Sequence, residues 1–91
     1  MRPLSQAVPG AVAGLLRSAP LSDGKVAFAW KVAVGPAMER ATAVKLEGTV
    51  LVVEPANVQW GREIKRSTGV ILSRLGTLLG RDTVTDIKVR S

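Results

Sequence analysis

Between its two tryptophans, Trp30 and Trp60, this chain carries three stop signals: Gly35-Pro36, Glu47-Gly48 and Pro55. Glycine adopts the left-handed cap that ends a helix, and a following proline cannot continue the helical ladder, so Gly35-Pro36 closes a helix. Glu47-Gly48 makes a turn, with glycine available for positive φ. Pro55 precedes a long run that Trp60 heads. A chain punctuated in this way cannot be one continuous helix or one uninterrupted sheet. It must fold as a mixed unit in which a helix, a strand pair and a second helix follow one another.

The flanking patterns fill in that order. Ser22 or Asp23 can cap a helix that runs to Gly35, with Leu21 just outside as a hydrophobic staple. Val26, Ala29, Trp30 and Ala33 share one face, and Phe28 and Val32 lie nearly opposite, a pattern that predicts a helix sandwiched in the core. Residues 36–40 allow one further turn. In 42–47, Val44 and Leu46 alternate with Ala43, Lys45 and Glu47, whereas 49–54 is apolar on both faces, as in a central strand. Trp60, Ile64, Thr68, Ile71, Leu75 and Leu78 recur at the period of a buried helix face and predict one helix over 56–79, closed by Gly80. Gly69 costs about 1 kcal/mol against alanine there and marks a bend or a close backbone approach. Residues 83–90 read as a last strand, with an irregularity near Asp86 because Val84 and Ile87 break strict alternation. At the N-terminus, Val8, Val12, Leu15 and Leu16 predict a short helix over Pro9–Ser18; Pro9, Gly10 and Gly14 interrupt the apolar stretch, so it reads as part of the domain rather than as a secretory leader. The expected fold is α+β, in the order α-α-β-β-α-β: a three-stranded sheet with helices packed on one face, as a single domain over 1–91.

With 91 residues there is room for one core, and with aromatics at only 3% that core must be built from Val, Leu, Ile and Ala. The chain has no histidine and no cysteine, which removes a disulfide framework and the usual zinc ligands, so no metal and no cofactor is expected. The acids Asp23, Glu39, Glu47, Glu54, Glu63, Asp82 and Asp86 form no recognisable pair or ligand motif, and no nucleophile has an evident base, so no catalytic residue is assigned and an enzyme is not expected. Gly76-x-x-x-Gly80 lacks the Lys-Ser/Thr of a phosphate loop. No apolar run is long enough to span a bilayer, which together with the lack of cysteine suits a cytoplasmic protein without a membrane partner.

The net charge of +6 is the remaining clue, since excess positive charge attracts polyanions. Arg62, Lys65 and Arg66 lie on the flank of the long helix away from the Trp60/Ile64 stripe, where they are free to meet phosphates; an ordinary solvated helix face fits the same pattern. Lys45, Lys88 and Arg90 form a second candidate surface on the outer sheet face, which Glu47 dilutes. Trp60 and Trp30 both sit on core stripes, so packing suits them better than base stacking.

The order Trp30-x4-Gly35-Pro36, Gly48-Thr-Val-Leu-Val-Val53, Trp60 with Glu63 three residues later, Ile71-Leu72-x-x-Leu75, Leu79-Gly80 and Val84-x-x-Ile87-x-Val89 resembles the DciA family. The resemblance runs over 26–90, and residues 1–25 fit only as a leading helix. It implies a KH-like fold and a role in bacterial DNA replication, as an adaptor without ATPase activity that binds the replicative helicase DnaB and helps place it on single-stranded or forked DNA, with no small-molecule substrate. Trp60 stands where the family has a tryptophan heading its long helix, in a region tied to function, either as a partner contact or as the residue that holds the helix on the sheet. The chain lacks the Gly-x-x-Gly loop with which KH modules grip RNA. A protein-interaction module without nucleic-acid contact and a KH-like RNA-binding module are the alternatives.

Overall fold

The computed structural model describes residues 20–90. The helix expected over Pro9–Ser18 lies outside them. Ser22 caps the first described helix, α1 (Asp23–Val34), its side chain accepting from the Lys25 N–H at 3.1 Å. Gly35 ends it at φ 87°. Val26, Ala29, Trp30 and Ala33 are buried as their spacing predicts. On the opposite side Val32 is partly buried against the core but Phe28 is 48% exposed, so among the described residues the helix is only partly covered there. Leu21 likewise stays exposed instead of stapling the first turn. Pro36 starts a single further turn, α2 (Pro36–Arg40).

The strands β1 (Thr42–Glu47) and β2 (Val50–Pro55) pair antiparallel across the Gly48-Thr49 turn, where Gly48 takes φ 63°. Such a two-residue turn closes only with positive φ, which glycine adopts without strain. β3 (Asp86–Val89) adds to the other side of β2 in parallel, giving the order β1-β2-β3 with β2 central. The last strand has the irregularity its sequence foretells. Arg90 N–H bonds Val53 O in regular phase, but the rung to Thr49 O comes from Thr85 rather than Asp86. This one-residue slip lets Val84 enter the core ahead of the strand.

The long helix is two helices, α3 (Val58–Arg66) and α4 (Thr68–Leu79). The break is at Ser67, not at Gly69. Ser67 leaves helical geometry at φ −99°, ψ 6°, and its N–H is shared between the carbonyls of Glu63 and Ile64. The Thr68 hydroxyl also donates to Ile64 O at 2.9 Å. The Thr68 side chain thus competes with the backbone for the Ile64 carbonyl, and the ladder is interrupted. Gly69 is exposed and has open space around it, so it marks neither a bend nor a close approach.

The break divides the work of the run. α3 packs on β2 and β3, and α4 packs on α1 and β3. Both meet the sheet face that carries Val44, Leu46, Leu51, Val53, Ile87 and Val89, and Trp30, Leu51, Ile64, Leu75 and Leu78 fill the centre. Two polar clamps hold the periphery. Trp30 Nε1 donates to Thr42 Oγ1 at 2.9 Å, which donates in turn to Met38 O at 2.7 Å. Arg74 Nη1 donates to Ala33 O at 2.8 Å, placing a cation at the negative end of α1.

Candidate nucleic-acid interface

The site is built at the start of α3. Asn57 caps this helix by accepting the Trp60 N–H at 2.9 Å, which fixes its entry angle just after Pro55 ends β2. Gly61 then faces the sheet and is buried. A Cβ there would sit 3.4 Å from Pro55 Cγ and 3.6 Å from Val89 Cγ1. Both are ordinary contact distances, so α3 lies close over the ends of β2 and β3. A groove of about 380 Å³ results, floored by Pro55, Val58, Gly61 and Val89 and edged by Arg62, Lys65 and Arg90. All three cations are exposed, and none makes an ion pair among the described residues. The arrangement offers three unpaired positive charges around an apolar floor, which suits a chain of phosphates joined by less polar units.

The sequence places Arg62, Lys65 and Arg66 together on one flank, and all three are exposed there. Arg66, however, lies outside the groove and pairs with Glu63 at 3.4 Å. The second candidate surface divides differently from its expected form. Register places Lys45, Val52 and Lys88 in one row on the open sheet face, beside a row of Glu47, Val50 and Asp86 and next to Glu54. Lys45 and Lys88 therefore share this face with Glu47, Glu54 and Asp86, and even with Arg90 at its margin the face is not basic. Arg90, one residue past β3, lines both the sheet hollow and the α3 groove. Its meeting with Arg62 and Lys65 was not legible in the sequence, because it depends on the parallel pairing of β3. Gly61 gave one signal: a glycine one residue after Trp60, in the first turns of a helix.

Trp60 lies on the other flank of α3. It is half-buried against the core and borders a shallow groove of about 500 Å³ with Val34, Ala37, Met38, Gln59 and Glu63. Its groove neighbours belong to α1, α2 and α3. Trp30, by contrast, is a core residue at 2% exposure. A wider open hollow of about 920 Å³ runs along α4, with Arg81 its one ionisable residue. Among the described residues no three carboxylates gather into a set fit for a metal ion, and no helix is long and apolar enough to cross a membrane.

No curated protein and no solved structure matches the chain. The family described as "Dna[CI] antecedent, DciA" matches residues 3–89. That span includes the leading segment, which the sequence motifs alone had not covered. The chain belongs to the DciA family, a family of loaders associated with the replicative helicase DnaB.

Proposed function

We propose that this protein is a non-enzymatic adaptor of DNA replication that contacts DnaB in the cytoplasm, helps place it on single-stranded DNA, and binds that DNA weakly and without sequence preference through the α3 groove. The observation that carries this reading is the convergence of unpaired Arg62, Lys65 and Arg90 around an apolar floor. Phosphates neutralised there would release counterions, a contact that carries no sequence information. Arg66, Lys45 and Lys88 stand farther out, each close to carboxylates, and serve as secondary contacts.

Titration of fluorescent single-stranded DNA at two salt concentrations, with and without the cognate helicase, tests the reading. Three phosphate contacts predict that log K falls with log salt with a slope of about −2. Reversing Arg62, Lys65 and Arg90 to glutamate should remove most of the binding without loss of fold. The absence of both low-salt DNA binding and helicase contact would overturn the proposal. The half-exposed Trp60 groove favours a second reading, a protein-interaction module that touches no nucleic acid. Helicase contact that persists in the charge-reversed protein, with no DNA binding by the parent protein, would select it.

A further inference from the structure

β1 is an open edge. No described strand lies beyond it. Within the hairpin, Glu47 pairs with Val50 across the two-residue turn, and Ala41 O accepts Ala56 N–H at 2.7 Å in the same phase. Odd-numbered residues therefore bond inward to β2. Antiparallel ladders alternate, so the N–H and C=O groups of Thr42, Val44 and Leu46 point outward from the edge. Their side chains, on the core face, are only half-buried. The strand runs six residues without proline or bulge, whereas the opposite edge, β3, has four residues and slips at its start. An edge of this kind is a template for another strand.

We propose that the strand is β1 of a second copy of this chain, joined antiparallel about a two-fold axis to give a six-stranded sheet. Such an axis, normal to the sheet, keeps every side chain on its own face, so the register has few choices. Centred on Lys45, it would oppose two lysines. Centred on Leu46, it would set Val44 against Gly48, which lies in the turn at φ 63°. Centred on Val44, it pairs Val44 with Val44 and Thr42 with Leu46, and all three outward-facing residues enter the ladder. The half-exposed Val44 and Leu46 then gain cover.

The open face supplies charge complementarity. In this register Lys45 lies opposite Ala43 of the second copy, and Ala43 neighbours Glu54 across its own hairpin. Ala43 is too short to block the lysine stem. Two strand spacings, roughly 10 Å in all, lie within the combined reach of a lysine and a glutamate. Glu54 makes no ion pair among the described residues. Symmetry makes the contact twice. A lysine on an edge strand ordinarily deters pairing; here it selects one register.

Sedimentation equilibrium of the full chain tests the inference. The wild type should associate to twice the chain mass. Lys45→Glu and Glu54→Lys should each weaken association about tenfold, since each sets like charges side by side at two symmetric places. The double swap Lys45→Glu/Glu54→Lys should restore it to within about threefold. Amide exchange on the wild type gives a readout independent of any variant: Thr42, Val44 and Leu46 should exchange more slowly in concentrated than in dilute protein. A chain that stays monomeric at about 1 mM overturns the proposal. So does a double swap as weak as the single variants, or edge amides indifferent to concentration.

Discussion

Arg90 shows how a single residue changes meaning between sequence and structure. By alternation it belongs with Lys88 on the outer sheet, yet the end of β3 delivers it to the groove beside Arg62 and Lys65. Arg90→Ala should therefore weaken single-stranded DNA binding and reduce the salt slope by about 0.7, as expected for one lost phosphate contact. Lys88→Ala, on the charge-balanced face, should change both much less in the same titration. Trp30 is the structural counterpart. It is 2% exposed and its indole N–H is held by Thr42 at 2.9 Å. Trp30→Phe removes buried volume and leaves a hydrogen-bond network one donor short, so urea unfolding should show a loss of about 2 kcal/mol. The burial of Trp30 was legible because Val26, Ala29 and Ala33 share its helix face. Its bond to Thr42 was not, because it joins a helix to a strand.

The elements were legible where their signals are local. Ser22, Gly35-Pro36 and Gly48 each act within a turn; the helix boundaries stand where those residues place them, and the hairpin turn falls one residue later than read, at Gly48-Thr49. The long helix was misread because hydrophobic period alone is continuous through 60–78. The interruption comes where the Thr68 hydroxyl takes the Ile64 carbonyl and the Ser67 N–H is shared between two carbonyls, a feature that periodicity does not contain. Gly69 gives the check. It is an exposed position in the first turn of α4, without positive φ and with nothing within 4 Å of an added Cβ. Gly69→Ala should stabilise the fold by up to about 1 kcal/mol in denaturant unfolding. A destabilisation would mean that the glycine has a role that this geometry does not show.

For the whole molecule, fold class was readable from the order of elements, but the site was not, because its walls are remote in sequence. Pro55, Arg62 and Arg90 meet only when β3 returns beside β2 after both helices. Completing the sheet and completing the groove are thus the same event. Removal of residues 86–91 takes Ile87 and Val89 from the core face together with Arg90. The shortened chain should lose its cooperative thermal transition as well as its DNA binding, as read by circular dichroism and by the titration above.

The interruption at Ser67 also bears on motion. α3 buries only Gly61 and Ile64, whereas α4 buries Ile71, Leu75, Leu78 and Leu79. With no continuous ladder between them, opening one does not require opening the other. The segment that carries Arg62 and Lys65 can thus breathe on its own against a firm scaffold, and its amides should exchange sooner than those of α4. Such a helix can adjust its charges to an irregular strand while the core behind it keeps its shape.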